Sequence, residues 1–207
     1  MIDLYTWGTP NGRKVSIMLE AIGAKYQTFT VNILKDEQFL PDFIKISPNN
    51  KIPAIVDSEG PNGKHISLFE TGAILIYLGE KSGKFIPTEL IKRYEMMEWL
   101  MWQMGGFGPF LGQAHHFNRF APEEVPYALE RYNNEAQRLW SVLDKRLCNR
   151  EYVVDQLSIA DFAIYPWAAR YAWQKIALED YPNVKNWMQR MLTLEAVQKG
   201  MMIPDNN

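Results

Sequence analysis

The stretch Asn49-Asn50-Lys51-Ile52-Pro53-Ala54-Ile55-Val56-Asp57 constrains this chain more than any other. It reads as a polar turn, then a proline, then a short apolar strand ending at Asp57. Proline has no backbone N–H to give to a ladder, so Pro53 belongs at the first position of a strand rather than inside one. The residue before it, Ile52, is pushed into extended geometry, which leaves its N–H and C=O to face something other than a helix. If the Ile52-Pro53 bond is cis, the chain turns sharply there and offers the Ile52 backbone as a fixed edge for an extended peptide. A trans proline in an ordinary turn is the alternative, and this stretch taken alone favours it.

The flanking sequence supplies a setting. Residues 2–7 form a first strand, and Gly8-Thr9-Pro10-Asn11-Gly12 follows as a loop of turn-forming residue types. From Arg13 to Ile22, the apolar positions Val15, Ile17, Met18, Leu19 and Ile22 fit an amphipathic helix closed by Gly23. Tyr26–Asn32 is a second strand, rich in aromatic and β-branched residues. A short helix over Asp36–Ile46 is interrupted near its start by Pro41. After the Pro53 strand, a turn at Glu59-Gly60-Pro61-Asn62-Gly63 leads by hairpin into a strand over Lys64–Phe69, and a helix covers Thr71–Lys81. The order β-α-β-α-β-β-α is that of an open α/β domain.

The pattern changes near Ser82-Gly83-Lys84-Phe85-Ile86-Pro87, and everything beyond reads as helix. This divides the chain into an α/β domain at 1–82, a linker at 83–87 and an all-helical domain at 88–207. The first of the later helices, Leu90–Met104, carries Met96, Met97, Trp99, Leu100, Met101 and Trp102. A helix apolar on more than one face packs on two sides, either as a subunit interface or at the centre of a monomer core. Gly105-Gly106-Phe107-Gly108-Pro109 should break or kink it. A long helix spans Pro122–Cys148. Ser158-Ile159-Ala160-Asp161 is then a capping box, in which Ser158 accepts from the Asp161 N–H and Asp161 reaches back to the Ser158 N–H. Pro166 should kink the helix that follows, and a last helix covers Val184–Leu194.

Composition narrows the function classes. A hydrophobic content of 47% with 22% charged residues is that of a globular chain, and a net charge of −2 argues against nucleic acid or an anionic membrane as partner. Met1-Ile2-Asp3-Leu4-Tyr5 has neither a basic leader nor a long apolar run, and no stretch nears the roughly 20 apolar residues of a membrane span. The single cysteine, Cys148, excludes an internal disulfide framework. A cytoplasmic location is expected. The adjacent His115 and His116 cannot easily face one ion, and no His, Cys and carboxylate set has ligand spacing, so no metal is expected. Their neighbourhood, with Phe117 and the glycines at 105–108, is instead expected to line an open second-substrate site.

These motifs together resemble the glutathione transferase family. Asn-Lys-Ile-Pro before the third strand and Phe-Glu-Thr-Gly-Ala-Ile opening the third helix are similar to its thioredoxin-like domain. The helical half with Ser-Ile-Ala-Asp is similar to its C-terminal domain. More narrowly, Thr-Pro-Asn-Gly at 9–12, Ile-Ser-Pro-Asn-Asn-Lys-Ile-Pro-Ala-Ile-Val-Asp at 46–57 and Gly-Gln-x-His-His-Phe-Asn at 112–118 resemble the nu class, a group that includes bacterial disulfide-bond oxidoreductases. The implied fold is a thioredoxin-like α/β domain followed by an all-α domain. The implied co-substrate is glutathione, and the implied assembly is a homodimer.

The resemblance also implies roles. Glu70 would take the γ-glutamyl ammonium, and Thr71, at a helix N-terminus, would take the neighbouring carboxylate, where the helix dipole favours an anion. Without the resemblance, Ser67-Leu68-Phe69-Glu70 reads as merely a capping box. Ile52, held by Pro53, would pair antiparallel with the middle of the peptide. Lys51 and Gln38 are the candidates for the glycyl carboxylate, and Arg131 for a further contact from its own or a partner subunit. Thr9 first, and Asn11 beside it, would donate hydrogen bonds to the thiol sulfur and lower its pKa. Tyr5 is poorly spaced for that role. Thioredoxins carry Cys-x-x-Cys in this loop, whereas here it has no cysteine, so any redox chemistry borrows its sulfur from glutathione. Cys148 reads as incidental. Three functions stay open: a glutathione-dependent disulfide-bond oxidoreductase first, then a transferase conjugating electrophiles, then a non-catalytic glutathione-binding or regulatory protein.

Overall fold

A computed structural model describes residues 1–204. The chain falls into two compact units. One is Met1–Ile86 together with the chain from Thr193 onward, and the other is Pro87–Leu192. The expected domain end at residue 207 lies outside the described residues.

The first unit is built on a four-stranded sheet of order β2-β1-β3-β4, with β1 at Ile2–Thr6, β2 at Tyr26–Thr30, β3 at Ala54–Asp57 and β4 at Ile66–Phe69. β1 pairs parallel with β2 and antiparallel with β3, Leu4 lying opposite Thr28 on one side and Ile55 on the other. A parallel pair needs a crossover, which helix α1 (Pro10–Ile22) provides. Helix α3 (Thr71–Ser82) packs beside α1. Leu4, Val15, Ile17, Ile55, Ile74, Leu75 and Leu78 are fully buried in this unit.

Two local expectations are corrected here. Thr9-Pro10-Asn11-Gly12 is not a loop, because α1 already begins at Pro10. A proline at the first helical position loses an N–H that would have no helical partner, and Thr9 caps the helix by accepting from Gly12 N at 3.1 Å. Pro41 likewise starts a helix rather than interrupting one. Residues Ile33–Lys35 and Glu37–Phe39 are single 3-10 turns, and α2 is Pro41–Ile46.

The second unit holds α4 (Leu90–Trp102), α5 (Gly108–His115), α6 (Pro126–Leu147), α7 (Ile159–Ala168) and α8 (Pro182–Leu192). The glycines at 105–108 do not break the first of these helices. The path continues through a π-helical turn at Gln103–Phe107 straight into α5, where Pro109 sits in the first turn. A wide turn of this kind absorbs an extra residue where glycines make room for it. Residues 122–125 stay outside α6, which starts on Pro126.

A last helix, α9 (Glu195–Gly200), is invisible to periodicity and packs on α1. Ser16 Oγ donates to Gly200 O at 2.7 Å. A Cβ at Gly200 would lie 2.5 Å from the Ile17 backbone, so only glycine permits this approach. Among the described residues no helix is long and apolar enough to cross a membrane.

The Ser158–Asp161 capping box is present and does more than cap. Asp161 is fully buried and accepts from Ser158 N, Ser158 Oγ, Val153 N and Trp187 Nε1, each at 3.0 Å. It therefore ties α7 to α8 and to the segment before it. Asp161→Ala strands four buried donors and should destabilise the second unit by about 3 kcal/mol or more. The check is a fall in its calorimetric Tm, with a smaller fall for Asp161→Asn, which keeps one acceptor oxygen.

Candidate active site

The end of β1, the start of α1, the turn before β3 and the start of α3 meet along one edge of the first unit. They enclose a cleft of about 280 Å³ lined by Asn11, Asn49, Lys51, Ile52, Pro53, Phe69, Glu70 and Thr71. Sites that engulf a small molecule run from about 300 to 1,000 Å³. A cleft just below that size suits a peptide laid along an edge. Of the residues expected at the site, Asn11, Lys51, Ile52, Pro53, Glu70 and Thr71 are brought together here.

The Ile52-Pro53 bond is cis. The Ile52 side chain packs on the apolar cluster of Val31, Phe43 and Ala54, with Tyr5 and Ile46 alongside. The β3 register begins only at Ala54, opposite Tyr5 and Phe69, so Ile52 lies beyond the ladder and among the cleft residues. Ser47 Oγ donates to Lys51 O at 2.8 Å and pins the turn just before it. Tyr5 stacks on Phe29 with ring centroids 5.0 Å apart, within the same cluster. Burial, aided by the charge of Asp3, pushes its hydroxyl pKa up.

At the other end, Glu70 has φ of 69° and ψ of 114°, a backbone conformation that a side-chain-bearing residue adopts only when its surroundings impose it. It gives α3 no side-chain cap, so the simple helix-cap reading of Ser67–Glu70 does not hold. Its carboxylate is exposed at the cleft. Thr71, the first residue of α3, is 7% exposed, and its Oγ1 accepts from Lys14 Nζ at 3.4 Å. The first N–H groups of a helix have no partner within it, so this end of the cleft sets a carboxylate beside backbone donors.

Thr9 sits at the α1 N-cap, two residues before Asn11, with its hydroxyl oxygen holding Gly12 N. A hydroxyl that accepts in this way keeps its own hydrogen to donate. Gln38 is not a lining residue. It lies on the Glu37–Phe39 turn, where its Nε2 donates weakly to Asp36 Oδ1 at 3.4 Å and its enclosed Oε1 has no partner among the described residues. Arg131 belongs to the second unit, exposed on α6 in a cleft of about 560 Å³ with Tyr127, Glu130 and Arg138. That cleft is larger and lies wholly within the second unit.

Lys14 is the functional candidate that residue patterns overlooked. It is 2% exposed, and burial pushes its pKa down to about 7 against the opposing charge of Glu70. The signal was present: Lys14, Ile17 and Met18 follow helical spacing, and all three are buried, so a lysine occupies the apolar stripe of α1.

The histidine pair is also corrected. His116 is exposed, but His115 is 6% exposed, stacks on Trp167 with ring centroids 5.4 Å apart, and lies 3.3 Å from Gln174 Nε2. It therefore does not border an open site. Burial first, then the charges of Arg170 and Arg119, push its pKa down to about 4. The unfolded chain takes up this proton near the ordinary value of 6.5 and the folded chain only near 4. Stability should thus fall as pH drops through that window. Imidazole NMR should show His115 neutral down to about pH 4, and His115→Gln should flatten the stability slope.

Comparison with known proteins identifies the family. The glutathione S-transferase N-terminal domain family matches residues 1–80, and the C-terminal domain family matches residues 109–195. The disulfide-bond oxidoreductase YfcG of Escherichia coli is 49% identical over 204 residues, which is 98% of this chain and 95% of that one. A glutathione transferase family member from Pseudomonas fluorescens, crystallised with two glutathiones bound, superposes with a TM-score of 0.95 at 45% identity, covering 98% of this chain and 93% of that one. A glutathione transferase from Pseudomonas putida, with one glutathione disulfide bound per subunit, gives a TM-score of 0.95 at 44% identity, covering 98% and 91%. The chain belongs to the glutathione S-transferase family, with the α/β first half and all-helical second half of that architecture.

Proposed function

We propose that this chain is a glutathione-dependent disulfide-bond oxidoreductase whose working sulfur belongs to the bound glutathione. One observation carries the reading. The cleft brings together the Glu70 carboxylate, the first residue of α3, the backbone edge at Ile52 and Asn11 from the first turn of α1, with no cysteine among its lining residues. The only cysteine, Cys148, is exposed beyond the end of α6 in the other unit. The disulfide-bond oxidoreductase name of YfcG and the glutathione in the two Pseudomonas structures support it.

In this reading the glutathione ammonium pairs with Glu70, and its α-carboxylate takes the Thr71 N–H and hydroxyl. The cysteinyl backbone pairs with Ile52 beside Pro53. The glycyl carboxylate takes Lys51, and also Gln38, whose amide needs only a half-turn to aim Nε2 where Oε1 now points. Arg131 is kept as a further glutathione contact, from its own chain or a partner subunit. Thr9 and Asn11 donate to the sulfur, which stabilises the thiolate and holds the attacking atom. The thiolate attacks one sulfur of a substrate disulfide, forms a mixed disulfide and expels the other sulfur as a thiolate, which takes up a proton. A second glutathione thiolate attacks the mixed disulfide, leaving glutathione disulfide and releasing the second substrate thiol. Two glutathiones are oxidised as one substrate disulfide is reduced.

Conjugation of an electrophilic carbon by the same thiolate is the second reading, and a non-catalytic glutathione-binding protein the third. We further infer a cytoplasmic homodimer. Ile91, Tyr94 and Met101 lie on one face of α4 with 75%, 65% and 48% exposure, a stripe that a partner subunit would cover.

The purified protein with glutathione should reduce a small disulfide faster than it conjugates an aryl halide, followed by glutathione disulfide formation and by thioether absorbance. Conjugation without reduction would transfer the assignment to the second reading, and neither activity despite binding would leave the third. Thr9→Ala should lower reductase turnover about 10- to 1,000-fold, by analogy with the loss of one oxyanion donor. An unchanged rate would assign the sulfur to Asn11 or to backbone donors.

A further inference from the structure

Arg13 stands half-buried on α1, one residue beyond Gly12. Its Nε is enclosed and meets no hydrogen-bond acceptor, and no carboxylate pairs with its guanidinium among the described residues. Burial pushes its pKa down. The arginines of α6 are placed differently, for Arg138 meets Glu135 at 2.7 Å and Arg146 meets Glu95 at 2.6 Å. An enclosed donor without an acceptor is costly, and a cation near a helix N-terminus opposes the dipole. Neither feature of Arg13 serves the fold of the first unit.

Helical geometry sets the direction of this side chain. Arg13 lies four residues after Thr9, and its N–H donates to Thr9 O at 3.1 Å, so the two positions share one face of α1. Side chains on a helix lean toward its N-terminus and cover the turn before their own Cα. Arg13 is thereby aimed back toward Thr9, the N-cap of α1. This is the end of α1 that holds the glutathione sulfur in the reading above. Both glutathione carboxylates already have partners in that reading, Thr71 for one and Lys51 with Gln38 for the other. The anion left for Arg13 is one carried by the disulfide that approaches the sulfur.

We propose that Arg13 selects disulfide substrates that bear a carboxylate, its guanidinium pairing with that group while the glutathione sulfur meets the disulfide. The inference rests on the oxidoreductase reading above and names a substrate class for it. A guanidinium takes a carboxylate through two parallel N–H donors, which fixes orientation as well as proximity. A disulfide held by its acidic end is turned toward the thiolate before the attack begins. Neutral disulfides remain substrates, because the exchange of sulfurs itself does not pass through Arg13.

The test uses 3,3′-dithiodipropionate and its diamide, which share one skeleton and differ in charge. Each kcat/KM is divided by the rate constant of the same disulfide with free glutathione, which removes differences in intrinsic reactivity. The wild type should then favour the dianion about tenfold, the lower end for a hydrogen bond to a charged group, since Arg13 is only half-buried. Arg13→Gln should lower kcat/KM for the dianion about tenfold and change that for the diamide by less than about twofold. Arg13→Lys, which keeps the charge without the two-point geometry, should restore part of the preference. An equal loss on both disulfides, or no loss on the dianion, overturns the proposal. Should neither variant fold, the wild type still decides, because a corrected ratio near one overturns the proposal as well. A wild type that reduces neither disulfide in the presence of glutathione would refute the oxidoreductase reading itself, and this proposal with it.

Discussion

The close approach of the first turn of α1 to the end of β1 is the constraint on which the rest of this edge depends. A Cβ on Gly12 would collide with Thr6 Oγ1 and Trp7 O, so the helix can start this near the strand only with glycine there. Thr9 completes the arrangement from the other side by holding Gly12 N, and Trp7 O accepts from Thr9 N at 2.6 Å. Once the helix is seated, Asn11 must fall beside the turn before Pro53, and Lys14, one turn further, must fall under Thr71. The same helix receives α9 along Ser16 and Ile17, so a segment from the far end of the chain stiffens the element that carries one end of the cleft.

The cleft is dipolar in a way that matches a zwitterionic peptide end. Glu70 stands exposed at a positive φ, a conformation that costs about 1–3 kcal/mol where glycine would be relaxed. Lys14 stands buried behind the start of α3, its Nζ 3.4 Å from Thr71 Oγ1. Asp161 shows the contrasting case, a buried carboxylate whose four donors are all structural and lie in the other unit.

Much of this was legible in the sequence, for identifiable reasons. Strong patterns such as Ala54–Asp57 and Thr71–Ser82 declare themselves, because alternation and helical spacing are direct consequences of one buried face. Pro53 marked the start of its strand, and the cis bond needed the surrounding elements to make it the better reading. Other features were hidden by ambiguity in local chemistry. Thr9-Pro10-Asn11-Gly12 has the residues of a turn and equally those of a helix start, and only Gly12's contact with β1 selects the second. The glycines at 105–108 look like breakers, yet the chain passes through them in a wide helical turn. His115 lost its apparent exposure to Trp167 and Gln174, residues too distant in sequence for local pattern to reveal. Lys14 was passed over because charged residues are read as surface by default, although its spacing with Ile17 and Met18 argued otherwise. The positions of Thr9, Asn11, Gln38 and Arg131 relative to a bound sulfur or carboxylate depend on a ligand, which neither alternation nor helical spacing encodes.

The central claim is that a glutathione molecule lies along the Ile52 edge with its γ-glutamyl end at Glu70 and Thr71. A crystal structure grown at saturating glutathione tests it most directly. The account predicts main-chain hydrogen bonds between the cysteinyl unit and Ile52, the ammonium at the Glu70 carboxylate, the adjacent carboxylate on the Thr71 N–H and hydroxyl, and the sulfur within hydrogen-bonding reach of Thr9 or Asn11. A tripeptide lying in the opposite direction, or a cleft empty of ligand density under those conditions, would contradict it.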